Sequence, residues 1–163
     1  MVFLIGTVVA DVTGVVLLGK AQGLERPALL LAGMLAFVAA PAAVAVAAVV
    51  GVARRGGMPW YYLDDGLYGS FSNVMSDHVR PTIHVYDARL EERDAVPSVL
   101  AGPTCDSTDV IATDAMLPPL DVGDLVVAPF MGAYTTVTAC EFNGLPKPTV
   151  VVVRTGGPVS AAR

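Results

Sequence analysis

The chain has 163 residues, of which 54% are hydrophobic and 15% are charged, and its formal net charge is −5. This length fits one domain with a core of its own, and the high hydrophobic content excludes a disordered chain. Two cysteines exclude a scaffold held by several disulfides. The acidic balance, without any lysine- or arginine-rich run, argues against a nucleic-acid partner.

Charge is distributed unevenly, because residues 28–53 carry no charged side chain at all. A run of this length is sufficient for a membrane-spanning helix, which needs about 20 apolar residues. Over residues 44–52, however, valines recur largely at every second position between smaller side chains. That period, with β-branched residues, favours a strand buried on both faces and preceded by a short helical or loop segment. The pattern alone leaves both interpretations open.

The elements predicted after residue 57 are short strands separated by turn signals. Alternating or β-rich runs predict strands at residues 60–63, 82–86, 98–101, 125–128, 135–139 and 150–153. Asp64-Asp65-Gly66 and Asn143-Gly144 are typical of turns. Several short strands with such turns predict a mostly antiparallel β domain, either a sandwich or an open barrel.

Two short motifs contain candidate chemical groups. Asp64 and Asp65 are adjacent carboxylates at a strand end, which suits either a bound cation or an ordinary turn. Cys105 lies beside Asp106, whose negative charge disfavours the thiolate form. The thiol is therefore a better proton donor than a standing nucleophile, and the alternative is a structural, half-buried cysteine.

Two other candidates are weaker. Tyr134 follows a Gly-Ala bend, so its hydroxyl could donate to a phosphate, or it could belong to a core tyrosine. His78 and His84 lack the spacing of a metal-binding set, and no metal site is predicted.

Four segments, taken in order, resemble the C-terminal part of the pyridoxal-phosphate-dependent ornithine decarboxylase family, within the alanine-racemase-like group of decarboxylases. They are Trp60–Phe71, Gly102–Asp109, Leu117–Asp124 followed by Met131–Thr135, and Phe142–Gly144. The resemblance covers roughly residues 37–153. The Cys-Asp pair at 105–106 is similar to the ornithine and lysine branch, whereas diaminopimelate enzymes have Cys-Glu there.

This resemblance implies a two-part fold in which an α/β barrel holds the cofactor on a lysine and a C-terminal β domain packs beside it. Residues 37–163 would be that β domain, a mainly antiparallel sandwich or open barrel. Residues 1–36 would be an apolar, partly helical remnant of the barrel. Active sites in the family form between the barrel of one subunit and the β domain of its dimer partner.

The resemblance also implies roles for five residues. Asp65 and Asp106 would bind the distal ammonium of the diamino acid. Cys105 would return a proton to the substrate carbon after carbon dioxide leaves. Tyr134 would contact the phosphate of pyridoxal 5′-phosphate, and Phe142 would wall the substrate pocket. The implied reaction converts ornithine to putrescine in polyamine biosynthesis, and the implied location is cytoplasmic.

Departures from the family pattern imply that this chain alone is inactive. Its two lysines, Lys20 and Lys147, do not match the motif of the cofactor lysine. The family's Glu-Pro-Gly-Arg segment is replaced by Gly33–Ala36. The chain would then be a truncated member that forms a homodimer or pairs with a full-length decarboxylase. The alternatives are a non-catalytic regulatory relative that binds such a subunit, and, less favoured, a membrane-anchored β domain.

Overall fold

The structure is a computed structural model that describes residues 13–18, 43–87, 90, 93–131, 135, 137–154 and 160–161. Its strands within these ranges are β1 (Thr13–Leu18), β2 (Ala43–Arg55), β3 (Met58–Leu63), β4 (His84–Val85), β5 (Val96–Ala101), β6 (Val110–Leu117), β7 (Leu125–Pro129), β8 (Thr149–Arg154) and β9 (Ser160–Ala161). One short helix, α1 (Ser72–Ser76), and a 3-10 turn at Phe142–Gly144 complete the elements of the described ranges.

The strands form one mixed sheet that curves into a half-barrel. Its order is β6-β5-β3-β2-β1-β8-β9, and β7 pairs with both β2 and β4. The mainly β architecture predicted from the sequence is confirmed. Most pairs are antiparallel as expected, but β1 pairs with β2 and β3 pairs with β5 in parallel. The second parallel pair requires a long crossover connection, which here carries α1 and β4.

Strand β2 lies at the centre of the sheet and is buried on both faces in its first half. All residues from Val44 to Val49 are buried. Ala45 and Ala47 belong to the main hydrophobic cluster, whereas Val44 and Val46 belong to a second one on the opposite face. The alternation with period two therefore does mark a strand covered on both sides.

Strand β2 also tests the alternative that residues 28–53 form a membrane-spanning helix. Residues 43–53, the second part of the uncharged run, form extended strand, while residues 28–42 lie outside the described residues. No helix in the described ranges has the length and apolar character needed to cross a membrane.

Three local expectations had different outcomes. Residues 13–18, which fall in the predicted barrel remnant, form β1 and pair with β2 and β8 of this sheet. The division at residue 36 stays a prediction.

The strand predicted at residues 135–139 is wrong for the described residues there, which are bends and loop. Asn143 and Gly144 do turn the chain with positive φ angles, but their neighbours β7 and β8 are not paired as a hairpin.

The parallel pairing of β3 with β5 positions the candidate site. In this pairing Tyr62 lies opposite Ala101, so both strands end at the same edge of the sheet. The segments that follow the two strands therefore emerge side by side. These are residues 64–71, here named the Asp-Gly turn, and residues 102–109, here named the cysteine loop.

Candidate active site

The carboxylate of Asp109 joins the Asp-Gly turn to the cysteine loop. Its Oδ1 accepts a hydrogen bond from the backbone N–H of Leu67 at 2.8 Å. Its Oδ2 accepts one from the backbone N–H of Thr104 at 3.1 Å and another from the Thr104 hydroxyl at 2.6 Å. Asp109 is only 2% exposed, so little water competes for these bonds and they hold the two segments together.

Two glycines allow this close approach. A Cβ atom at Gly66 would lie 2.4 Å from Oδ1 of Asp109, and one at Gly102 would lie 2.2 Å from the same atom. Either contact is far inside van der Waals distance, so no residue with a side chain fits at these positions without moving the carboxylate. The glycines in both sequence motifs are thus explained by packing around Asp109.

Tyr68 holds the carboxylate of Asp106 at the surface of this assembly. The tyrosine hydroxyl donates a short hydrogen bond to Oδ2 of Asp106, and the backbone N–H of Thr108 donates to Oδ1 at 2.9 Å. The bond from Tyr68, aided by Thr108, lowers the pKa of Asp106. The same bond raises the pKa of Tyr68. Asp106 therefore remains an anion at neutral pH, oriented by two donors.

The 3-10 turn closes the cluster from the other side. The ring of Phe142 stacks on that of Tyr68, with centroids 4.1 Å apart and planes 8° from parallel. Nδ2 of Asn143 donates to Sγ of Cys105 at 3.1 Å, and the cysteine is exposed. Three residues predicted from the sequence, Cys105, Asp106 and Phe142, therefore lie in one cluster.

Asp65 lies on the same turn, but its carboxylate faces inward. It is 3% exposed, and its Oδ1 accepts hydrogen bonds from the backbone N–H groups of Gly66 at 2.8 Å and Ser70 at 2.9 Å. Burial raises the pKa of this carboxyl. Its Oδ2 has no hydrogen-bond partner among the described residues, and the residue lines the cavity beside the cysteine loop. Substrate binding by Asp65 stays a prediction.

The neighbouring Asp64 ties the turn to strand β2. Its Oδ1 accepts a hydrogen bond from the backbone N–H of Ala48 at 2.7 Å, and its own N–H donates to the Ala48 carbonyl at 3.0 Å. Burial raises the pKa of Asp64 to about 6, and the adjacent charge of Asp65 adds to the rise. Both carboxylates of the predicted pair are thus used to build the turn.

One predicted site residue could not be placed, and two others were missed. Tyr134, predicted to contact the cofactor phosphate, lies outside the described residues. Tyr68 and Asp109 were quoted as parts of motifs without a role, although both belong to the cluster. A signal existed for Asp109, because an aspartate in a turn just before a β-branched run often accepts hydrogen bonds from nearby backbone N–H groups.

The cluster around the cysteine loop does not by itself form a pocket for pyridoxal phosphate. The cavity between the Asp-Gly turn, the cysteine loop and the 3-10 turn measures about 40 Å³, whereas ligand pockets usually reach about 300 Å³ or more. The ionisable groups around it are mainly carboxylates, which repel a phosphate. Nor do the described ranges contain a group of three side chains able to hold a metal ion. The cluster instead suits a small cation such as an alkylammonium group.

We expect Asp109→Asn to destabilise the chain by about 1–3 kcal/mol, because one of its oxygens would become a donor facing other donors. Chemical denaturation measures this loss. The matched control is Asp114→Asn, which removes an ion pair to Arg80 at 3.5 Å between side chains that are 72% and 90% exposed. Its effect should stay below about 0.5 kcal/mol, and equal losses in the two variants would contradict the role of Asp109.

The raised pKa of Asp64 predicts a pH-dependent stability. A carboxyl whose folded pKa exceeds its unfolded value stabilises the fold below about pH 4, and this contribution is lost as the pH rises through about 6. Asp64→Asn keeps an oxygen for Ala48 but cannot ionise. Between pH 4 and pH 7.5, the free energy of unfolding of Asp64→Asn should therefore rise relative to that of the parent chain by on the order of 2 kcal/mol, allowing for partial exposure.

Denaturation curves at several pH values measure this difference. Asp94→Asn, which removes an exposed carboxylate, serves as the control. Stability curves for Asp64→Asn and the parent that remain parallel across this range would show that Asp64 is not titrating there.

Comparison with known proteins shows which protein family has this domain. Residues 8–132 match the family described as pyridoxal-dependent decarboxylase, C-terminal sheet domain. That span contains strands β1 to β7, the Asp-Gly turn and the cysteine loop.

Individual relatives agree with the family match. Lysine/ornithine decarboxylase of Selenomonas ruminantium is 43% identical over 99 residues, which cover 61% of this chain and 24% of that protein. Antizyme inhibitor 2 of Xenopus laevis is 42% identical over 84 residues, which cover 52% of this chain and 18% of that protein. The crystal structure of lysine/ornithine decarboxylase from Vibrio vulnificus complexed with cadaverine superposes with a TM-score of 0.60 at 50% identity, covering 64% of this chain and 28% of that one.

This chain thus spans about a quarter or less of the length of the two curated relatives. The half-barrel sheet, the sequence match and the superposition lead to one conclusion: the chain belongs to the pyridoxal-dependent decarboxylase family, in which it corresponds to the C-terminal sheet domain.

Proposed function

We propose that this β domain forms the substrate-facing wall of a pyridoxal-phosphate-dependent decarboxylase that acts on a basic diamino acid, ornithine or lysine. The observation that carries the proposal is the surface pair of Cys105 and Asp106, held in place by Tyr68, Asn143 and Asp109. Support comes from the relatives, which include a lysine/ornithine decarboxylase crystallised with cadaverine, the diamine that lysine becomes when it loses carbon dioxide.

Asp106 is the group we assign to the distal ammonium of the substrate. Its two oxygens already accept hydrogen bonds from Tyr68 and Thr108, and each oxygen retains a further lone pair for an incoming donor. The lowered pKa keeps the group charged, so it would form a charge-assisted hydrogen bond with an ammonium. A substrate with a neutral side chain would gain no such bond, so Asp106 would favour diamino acids over other amino acids.

Cys105 is the group we assign to proton return. After a carboxyl group leaves as carbon dioxide, the substrate carbon must receive a proton in its place, and an exposed thiol is a suitable donor. The ring of Phe142, which stacks on Tyr68, would pack against the methylene chain of the substrate.

The cofactor belongs to another part of the active site. When bound, pyridoxal phosphate supplies the electron sink for decarboxylation, and the cavity beside the cysteine loop is too small to hold it. Neither Lys20 nor Lys147 lies in a motif like that of the family's cofactor lysine. We propose that an α/β barrel outside residues 1–163 completes the site, and that these residues by themselves are inactive. Ornithine is our first choice of substrate, with putrescine as the product that enters polyamine synthesis.

A second candidate function is regulation. The similarity to antizyme inhibitor 2 would fit a chain that binds a decarboxylase subunit without taking part in catalysis. The intact cluster around Cys105 and Asp106 favours the catalytic role, because a purely regulatory chain has no need of an oriented thiol beside an oriented carboxylate.

Complementation tests the catalytic role. The chain is mixed with a full-length bacterial lysine/ornithine decarboxylase whose own loop cysteine has been replaced by alanine, which leaves its barrel and lysine intact. If Cys105 enters the partner's active site, release of carbon dioxide from ornithine or lysine should recover at least tenfold over the mutant alone. The chain alone, with added cofactor, should release none.

Matched variants show whether Cys105 and Asp106 are responsible for the recovered activity. Cys105→Ala should abolish the recovery, whereas Cys140→Ala should retain it, since the Cys140 thiol is also exposed but makes no hydrogen bond to Cys105 or Asp106 among the described residues. Asp106→Asn should raise KM for the diamino acid by about tenfold or more, the value of one charge-assisted bond. No recovery with the parent chain would contradict the proposal. In a separate mixture of the chain with an intact decarboxylase, lowered activity of that enzyme would support regulation instead.

A further inference from the structure

Asn143 occupies a conformation that few residues adopt. Its φ is 55° and its ψ is 25°, in the left-handed region, and Gly144 follows with φ 71°. Asparagine is among the non-glycine residues that tolerate this region best. Two successive positive φ angles give a tight turn, which projects the Asn143 side chain toward the cysteine loop.

The segment that carries Asn143 is docked at two further points. The ring of Phe142 stacks on Tyr68 at 4.1 Å, and the backbone N–H of Cys140 donates to the Tyr68 carbonyl at 2.9 Å. These contacts fix the backbone on which the amide stands. The 3.1 Å contact from Nδ2 of Asn143 to Sγ of Cys105 joins residues 38 positions apart and is therefore part of a built arrangement.

We propose that Asn143 is a positioning residue for Cys105, whose amide N–H orients the sulfur and stabilises its anionic form after the proton has left. The use of this contact in catalysis rests on the proposed function, but the contact itself does not. In the proton transfer, the S–H bond of Cys105 breaks and a C–H bond forms on the substrate. The electron pair stays on sulfur as a thiolate, which water reprotonates before the next turnover.

Electrostatics explain why such a donor is needed. The carboxylate of Asp106, the next residue in the chain, is negatively charged and so opposes formation of the anion that remains on the sulfur when the proton leaves. An N–H group aimed at the sulfur offsets that opposition, because hydrogen bonds to a charged acceptor are stronger than those to a neutral one. The titratable groups on the elements packed around the thiol are Asp64, Asp65, Tyr68, Asp106, Asp109, Cys140, Glu141 and Lys147.

The pH dependence of thiol alkylation tests the inference on this chain without cofactor or barrel. In a Cys140→Ser background, Cys105 is the single thiol, and its reaction with iodoacetamide is followed by mass spectrometry. Asn143→Gly removes the amide while glycine retains the positive φ at no steric cost. We expect alkylation at neutral pH to slow by about threefold to tenfold, the equivalent of one hydrogen bond, and the pH profile to move to higher pH.

Asn143→Asp provides a second variant that keeps the shape of the side chain but replaces the donor with a negative charge, so it should slow the reaction at least as much. Glu141→Gln, an exposed change on the same segment, should alter the rate less than twofold. An unchanged or faster reaction in Asn143→Gly would overturn the inference, whatever complementation shows. A shifted profile without complementation would reject the proposed function while leaving the Asn143 contact in place.

Discussion

The buried carboxylate of Asp109 is the interaction on which the candidate site depends. It accepts three hydrogen bonds, one from Leu67 and two from Thr104, and so joins segments that are far apart in the chain. The parallel pairing of β3 and β5 delivers these segments to one edge of the sheet, and two glycines allow them to approach the carboxylate. This connection supports the position of the cysteine loop beside Tyr68, whose hydroxyl also donates a hydrogen bond to Asp106.

Aspartates near the site divide into two groups according to their burial. Asp65 and Asp109 are nearly inaccessible to solvent and accept backbone hydrogen bonds, so they build the scaffold. Asp106 lies at the surface, where Tyr68 keeps it ionised and oriented. Burial of a charge is tolerated only where donors replace the lost water, whereas recognition of an ammonium requires a charge that the ligand can reach. Separate residues therefore meet the two demands.

Local pattern predicted a good part of this arrangement. The period-two valines around residue 46 indicated a strand covered on both faces, and the motifs at 102–109 and 142–144 indicated segments that do lie together. The parallel pairing of β3 with β5 was beyond such reasoning, because a strand's own residues do not specify its partner. The inward orientation of Asp65 and the role of Asp109 were missed for a related reason. An aspartate in a turn motif looks the same whether its carboxylate faces solvent or another loop.

The hydrogen bonds to Asp109 imply that the β domain preforms the cysteine loop before any barrel or cofactor is present. Amide hydrogen exchange of Leu67 and Thr104, measured by NMR on this chain alone, tests it most directly, since both amides donate to Asp109. We expect the amides of Leu67 and Thr104 to exchange slowly, with protection close to that of the β3 amides. Exchange at the rate of an unfolded peptide, while β3 remains protected, would contradict it.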